Sequence, residues 1–568
     1  MLTLGLNDVY DEASACLIED GHIVAAVEDE RFDRTSRAWR FRGDFLSGIP
    51  FEAIAWCLKK RRVRLSDIDH VAYAWDPALF YGEPAASPLP IPFHDVPSRS
   101  DNKSTLWEAW RRTRVANARV ALTTAYPDHL TPCFTGDHSF SWHFIAHQEA
   151  SAAAAYFTSP FDHAAVLCLN VGSERASTTY AVGQGFTIHS LQEVLLPHSL
   201  GLLYQQVTEH LGFLRGGGEA QVMGLVASGR PRYREAFAKI ISVEKNGQYR
   251  IAQGDLVPLL GPRRKCGEKL EPRHRDIACS LQEAQNEAVI HLAEWLKEQT
   301  QSRALVLAGS LALNCVLNSA VRDAGIFEKV WVPPAVGDSG TAVGAALLVD
   351  MKNRVTQERY RLSHTCLGPQ FSVEDIEEAL HRSRLVFGRP PAISVAVAAR
   401  LASGKIVAWF QGALEFGPNA LGSRSILASP MDPDMTKRIN QLKNHEEFQP
   451  IAVSVTAESV GDWFADAAHS PFMSFVSPIR EDKRPRIPAA AHTDGTARVQ
   501  TVDRDTQALF HSVIEAFGAL TGVPVLLNTS FNTFRAPMVC SPAEAIACYA
   551  STPIDALALG PFLLEKAR

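Results

Sequence analysis

The chain is 568 residues long, and at roughly 100 to 200 residues per domain that length calls for about two to four domains. Its 56 Lys and Arg against 62 Asp and Glu leave a formal charge of −6, which offers no electrostatic footprint for nucleic acid and no polybasic run for a membrane surface. Hydrophobic residues at 46% and charged residues at 21% exclude a disordered chain and allow a large core. The ten cysteines include no C-x-x-C pair, so buried reduced thiols are expected rather than a zinc ribbon or redox motif. The first residues lack a basic region followed by an apolar one, and no window approaches the ~18 apolar residues of a spanning helix. A cytoplasmic protein is expected.

In chain order, the apolar runs Ala13–Ile18 and Ile23–Val27 bracket the Asp20-Gly21 turn and predict a β-hairpin after a first strand at residues 2–7. Residues 164–169 read as a buried strand, followed by polar residues and a second strand at 179–182. Residues 304–308 form a further strand ahead of a helix starting near Leu313, and residues 329–332 another before the small-residue helix from Thr341. Strands interleaved with helices indicate α/β architecture. Between Asp350 and about Pro391 the pattern loosens, so residues 353–390 are read as a linker between a first domain (1–352) and a second (391–568). The second opens with a helix at 394–401 and a strand at 406–410.

Several segments carry candidate chemistry. His143 and His147 stand at i and i+4, one face of a helix if the apolar stretch through Ala155 is helical, and that face can share a metal ion. The alternative is a chance pair among 19 histidines. Asp338, flanked by Gly337 and Gly340 at a strand-to-helix turn, is placed either to approach a phosphate or metal or to cap the helix. Arg424, after the glycines of residues 417–422, presents a fork suited to phosphate or carboxylate. Lys443, Arg498 and the loop carrying Asn528, Ser530 and Asn532 are candidates to complete the same anion site.

Taken together these segments resemble the two-domain carbamoyltransferases of natural-product and Nod-factor biosynthesis, of the tobramycin, cephamycin and nodulation-protein-U type. The resemblance runs nearly end to end. It is carried by Gly5-Leu-Asn, the block from Asp20 to Phe32, His143-x3-His147, Pro197 to Tyr204, Gly218-Glu219 with Val222 to Leu225, Leu311 to Val316 and Gly337 to Gly340. In the second domain the carriers are Trp409 to Gly412, Glu415 to Pro418, Gly422 to Ala428, Asp494 to Thr501 and Leu527 to Asn532.

The resemblance implies an actin/sugar-kinase-like first domain, a duplicated ribonuclease H-like fold, and a YrdC-like α/β second domain. It implies that ATP, with Mg²⁺, and carbamoyl phosphate yield a carbamoyl adenylate whose carbamoyl group passes to a hydroxyl of a small-molecule acceptor. It places a divalent metal, in the family iron, on His143, His147 and Asp338, with His143, Asp338 and Arg498 in the chemistry. Arg424, Lys443, Arg498, Asn528, Ser530, Gly337, Gly340 and Glu219 are implied around donor and nucleotide. The chain departs from the family pattern at several of these places. Asn170 stands where the family has a metal-binding Asp, Asp11-Glu12 replace a His-Asp pair, and Gln221 replaces a lysine. Asn419 and Gln449 replace arginines, and Arg535-Ala536 replace a Gly-Glu. Two further readings follow from these departures: activation of another carboxylate for acyl transfer, and a non-catalytic partner subunit. A homodimer is the commonest oligomer, and residues 80–135, which match no family block, are the expected acceptor loops.

Overall fold

A computed structural model describes the chain except for residues 10–11, 35–48, 82–114, 116, 356–357, 467–468, 534–535 and 567–568. Much of the expected acceptor segment, together with Asp11 and Arg535, lies outside the described residues.

Strands β1 (Leu2–Asn7), β2 (Ser14–Glu19), β3 (His22–Glu28), β4 (His70–Tyr73) and β5 (Ser141–Phe144) form one sheet in the order β3-β2-β1-β4-β5. The first three are antiparallel neighbours, and β4 and β5 add in parallel. The β2–β3 turn is the one the Asp-Gly pair demands: Asp20 and Gly21 take φ of 48° and 85°, the left-handed conformations of a tight hairpin matched to strand twist.

A second sheet repeats this plan. β6 (His163–Leu169), β7 (Ala176–Gln184) and β8 (Thr187–Leu195) are antiparallel neighbours. After the small hairpin β9 (Ile241–Val243) and β10 (Tyr249–Ile251), β11 (Ala304–Ala308) and β12 (Lys329–Trp331) add in parallel to give β12-β11-β6-β7-β8. Three antiparallel strands followed by two parallel ones, twice over, make a duplicated ribonuclease H-like domain of two lobes.

The lobes are joined by the helices His147–Thr158 and Ser339–Asn353. Both are rich in alanine, and the second adds Gly340 and Gly344, which lets them cross closely: a Cβ on Gly344 would lie 1.8 Å from the Ala150 carbonyl oxygen. Their small side chains pack with Val166, Cys168, Val306 and Leu347 into one buried cluster.

The C-terminal domain is built on a nine-stranded mixed sheet. It comprises β13 (Phe387–Gly388), β14 (Val407–Phe410), β15 (Arg424–Ala428), β16 (Ala452–Thr456), β17 (Phe475–Pro478), β18 (Thr496–Val502), β19 (Val525–Ser530), β20 (Ala556–Leu559) and β21 (Phe562–Glu565). The order is β13-β21-β20-β14-β15-β19-β16-β18-β17. Helices Ile393–Ala402 and Ala508–Thr521 pack on it through Val397, Leu401, Val513 and Phe517. It is an α/β domain of the expected class.

The stretch read as linker is largely structured. The helix Val373–Ser383 is closed by a Ser372/Asp375 capping box and buries Ile376, Ala379 and Leu380 in the second domain's core. β13 pairs with β21. Its charged, amphipathic sequence read as exposed chain because only one face is apolar. The earlier half is tied to the first domain, where the Arg359 guanidinium sits 4.3 Å from the Tyr156 ring centroid and donates to the Tyr156 carbonyl at 2.7 Å.

The two domains are stapled together by a buried ion pair. Glu28 Oε1 accepts the Gly417 N–H at 2.7 Å, and Arg31, 3.3 Å from Glu28 Oε2, donates to the Gly417 carbonyl at 3.1 Å. A second contact runs from Asn318 Nδ2 to the Ser474 carbonyl at 3.0 Å.

Candidate functional site

Two regions carry polar groups beyond structural need. The first lies between the lobes, where β4, β6 and β12 end and the two joining helices begin. His147, fully buried, opens the helix His147–Thr158, and its Nε2 lies 3.5 Å from Oδ1 of Asp338. Asp338 precedes the helix Ser339–Asn353 without capping it by its side chain. The Ser339 N–H is instead bound by Glu12 Oε2 at 2.9 Å, a favourable place for a carboxylate at a helix start. A Cβ at Gly337 would press on that carboxylate at 3.0 Å, and one at Gly340 would meet the Ala335 carbonyl at 1.9 Å. Both glycines are therefore explained by packing around Glu12 and the turn. Sequence reasoning missed Glu174, whose Oε1 accepts from the backbone N–H of Asp76 at 2.8 Å and of His147 at 2.9 Å. Burial pushes the Glu174 carboxyl up against the opposing pull of His147. Its only sequence signal was a lone acid behind Gly172-Ser173 at the end of a buried strand.

The expected helical His pair is corrected by the structure. His143 lies on β5, before the helix begins, and its Nε2 is 3.1 Å from Nδ1 of His70 on β4. Aromatic neighbours explain the strand: Trp142 and Phe144 pack on Tyr73 across β4. Asn170 is wholly engaged in neutral hydrogen bonds. It donates to Ser151 Oγ at 3.1 Å and Gln148 Oε1 at 3.3 Å, and accepts the Ser310 N–H at 2.8 Å. The implied metal set therefore does not assemble from these side chains, and among the described residues no group of three or more His, Cys, Asp or Glu is placed to hold a metal ion. His147 and Asp338 are the two members brought together.

The second region is a cavity of about 660 Å³ between the domains. The first domain contributes Gly216 to Gly218, Gln221 and Arg31, and the second contributes Lys443, His445, Gln449, Ser530 and Asn532. Glu219 holds the glycine turn, its carboxylate accepting from the N–H groups of Gly216 at 3.1 Å and Gly217 at 2.7 Å. Lys443 is 1% exposed and donates to the Ser530 carbonyl at 2.6 Å, to Ser530 Oγ at 3.0 Å and to Asn532 Oδ1. An ammonium has three N–H donors, so an anion entering here must replace one of these partners. Burial drives the Lys443 amine down to about 7 and the His445 imidazole down to about 4. Gln221 and Gln449 line this same cavity, with Gln449 Nε2 3.4 Å from the Ala220 carbonyl.

Three other predicted ligands do not line it. Arg424 is fully buried, stacked 3.5 Å from the Phe410 ring centroid. It donates to the carbonyls of Gln411 at 2.8 Å, Ser423 at 3.1 Å, Pro369 at 3.2 Å and Gly412 at 3.2 Å. With four of its five N–H groups bound to backbone, it organises the loop before β15 rather than presenting a fork to an anion. Burial lowers the guanidinium to about 10. Asn528 is equally internal, donating to Gln500 Oε1 at 3.1 Å and Ser454 Oγ at 3.0 Å. Arg498 projects from β18 toward the first domain, donating to the Met473 carbonyl at 2.6 Å and to Asn419 Oδ1 at 3.2 Å. Its field acts on the buried Cys315 thiol, against the larger effect of burial.

Comparison with known proteins agrees with this two-part organisation. Residues 3–347 match the family model described as carbamoyltransferase N-terminus, and residues 398–566 match carbamoyltransferase C-terminus. The uncharacterized protein sll1178 of Synechocystis sp. is 34% identical, over 99% of this chain and 96% of its own length. Nodulation protein NolNO of Sinorhizobium fredii is also 34% identical, over 99% of this chain and 80% of its own. Among solved structures, HypF of T. kodakarensis aligns with 64% of this chain and 50% of its own at 13% identity and a TM-score of 0.34. With both family domains present in order, the chain belongs to the carbamoyltransferase family and is a transferase of that kind.

Proposed function

We propose that this carbamoyltransferase is ATP-dependent, activates carbamoyl phosphate as a carbamoyl adenylate, and passes the carbamoyl group to a hydroxyl of a small-molecule natural product. The observation that carries the reading is the cavity of about 660 Å³ that both family domains close together, with Lys443, Ser530 and Asn532 on one wall and the Gly216–Gly218 turn on the other. That volume lies in the range of about 300–1,000 Å³ usual for small-molecule sites. The glycine turn lets backbone approach a phosphate closely, and the Lys443 ammonium supplies charge that strengthens when water is excluded. Forming the adenylate releases phosphate and pyrophosphate; in the transfer step the acceptor oxygen attacks the carbamoyl carbon and gives its hydroxyl proton to solvent, the bond to the adenylate oxygen breaks, and AMP leaves with that electron pair. His147 and Asp338, between the lobes, line the place where this reading puts the acceptor end of the reaction.

The test is direct. The purified chain is incubated with ATP, Mg²⁺, carbamoyl phosphate and a panel of hydroxylated metabolites, and AMP and carbamoylated product are measured together. Formation of both is expected; neither forming rejects the reading. One observation favours a second reading. Gln221 and Gln449 give the cavity two neutral amides where the family resemblance leads one to expect cations, and each charge-assisted bond to phosphate contributes about 1.5–3 kcal/mol. A donor carrying less charge, another carboxylate activated by the nucleotide, suits such a wall. AMP release with another carboxylic acid and none with carbamoyl phosphate selects it.

A further inference from the structure

The second lobe carries a cavity that the reaction proposed above does not use. It measures about 550 Å³, within the range of about 300–1,000 Å³ usual for small-molecule sites, and shares no lining residue with the interdomain cavity. One wall is the long helix Pro272–Thr300, and the other is the helix Arg234–Ile240 running into β9. The long helix presents alanine at 284 and 288, one turn apart, where the other wall presents Phe237, Ile241 and Val243. Those two small side chains leave the hollow open at the margin of the second lobe's core.

Trp295, two turns beyond Ala288, lines the same cavity and is held rigidly. Tyr180 meets its indole edge to face with centroids 4.8 Å apart. Gly247, at φ 79° in the β9–β10 turn, lies so close that a Cβ there would be 2.6 Å from the ring. The Tyr180 hydroxyl donates to the Gly247 carbonyl at 2.5 Å and locks the clamp.

The rim is acidic: Glu244, Glu287, Glu294 and Glu298 stand against two cations, Arg234 and Lys245. Arg234 is spent on Glu287 at 3.0 Å and Glu283 at 3.2 Å, and Glu244 takes Arg250 at 3.0 Å. Lys245 is exposed in the hairpin turn. Glu294 and Glu298, exposed one turn apart beside Trp295, make no ion pair among the described residues. Like charges four apart on a helix repel, and an indole ring attracts a cation. A rigid apolar hollow with two uncompensated carboxylates at its lip is complementary to a cation with an apolar body.

We propose that this cavity binds a small organic cation, a protonated amine on an aromatic or alkyl body. The body would lie on Phe237, Ile241 and the two alanines, and the ammonium between Trp295, Glu294 and Glu298. The inference does not depend on the reading of the reaction given above.

Phenethylamine, phenethyl alcohol and phenylacetate keep one aromatic body and change the charge of the head group. Each is titrated by calorimetry into the full-length chain, with and without saturating ATP. One equivalent of phenethylamine is expected, bound about 5- to 10-fold more tightly than the alcohol, because an exposed ion pair and a cation–π contact each contribute severalfold. Phenylacetate should not bind, and ATP should not displace the amine. Glu294→Gln combined with Glu298→Gln should bring the amine down to the alcohol and leave the alcohol unchanged. Ala284→Phe, which fills the hollow, should abolish both, and Ala284→Leu takes its place if thermal unfolding shows the first variant misfolded. Absence of amine binding overturns the proposal, as does equal binding of amine and phenylacetate. Binding that survives filling of the hollow, or that ATP displaces, also overturns it and places the amine elsewhere.

Discussion

Replacing Arg31 by Met should destabilise the chain, and do so more strongly as pH rises. Arg31 and Glu28 have side chains only 3% and 1% exposed, so removing the guanidinium leaves a carboxylate in an environment that cannot hydrate it. Gly417 loses the donor to its carbonyl while its N–H still binds Glu28. Breaking one side of a buried pair costs about 3–5 kcal/mol. Burial already raises the Glu28 carboxyl, with Arg31 the largest opposing influence, so Arg31→Met raises it further. A carboxyl whose folded pKa lies above its unfolded value binds more protons when folded. Stability therefore falls as pH rises through the interval between the unfolded and folded values, by up to about 1.4 kcal/mol per pH unit. The variant should lie nearest to wild type near pH 5, where the stranded Gly417 carbonyl remains as a deficit of about 1–3 kcal/mol, and fall further away toward pH 8. Glu28→Gln keeps an oxygen for the Gly417 N–H and should cost less than Arg31→Met at pH 8. Urea unfolding at pH 5, 6.5 and 8, read by tryptophan fluorescence and circular dichroism, measures this. An Arg31→Met midpoint equal to wild type at pH 8, or a deficit that shrinks as pH rises, would refute the reasoning.

Lys443 carries a pH dependence of the opposite sense. Its amine falls from about 10.5 unfolded to about 7 folded, so the cost of burying the charge is fully present below pH 7 and is relieved as pH rises toward 10. Wild-type stability should gain over that window by up to about 1.4 kcal/mol per pH unit, and Lys443→Met should abolish the slope in urea titrations. Arg424→Met takes a donor from four carbonyls; those of Ser423 and Pro369 keep the N–H groups of Gln411 and Leu414, so at about 1–3 kcal/mol for each group left unsatisfied the loss of the Gln411 and Gly412 contacts should destabilise the second domain by about 2–6 kcal/mol, seen as weakened protection in hydrogen exchange. Asn170→Asp turns a carboxylate toward Gln148 Oε1, now 3.3 Å from a donating amide, and should lower stability by about 1–3 kcal/mol in thermal unfolding. Gly344→Ala forces a methyl into the Ala150 carbonyl and should separate the two joining helices, lowering the melting temperature and the yield of folded protein.

Local pattern made the periodic elements legible. The Asp20-Gly21 hairpin, the apolar strands at 164–169 and 304–308 and the small-residue helix after Gly340 are each specified by residues adjacent in the chain. The ordered motif blocks likewise marked the carbamoyltransferase family in the sequence itself. The duplication was not legible, because it resides in strand order and direction, and the two lobes share topology without sharing a readable repeat. The amphipathic helix Val373–Ser383 reads as linker in the sequence because one charged face hides three apolar positions whose partners are nearly two hundred residues away.

The candidate residues divide along the same line. Sequence alone determined which side chains had the chemistry: a histidine pair, an aspartate between glycines, an arginine, a lysine and a serine loop. Only the tertiary structure decided what each faces, because a hydrogen-bonding group is claimed by whichever partner folding brings near. Arg424 is spent on backbone carbonyls, His143 turns to His70, and Asn170 closes a neutral network. Lys443, Ser530 and Asn532, by contrast, come together at the wall of a cavity that neither domain encloses by itself.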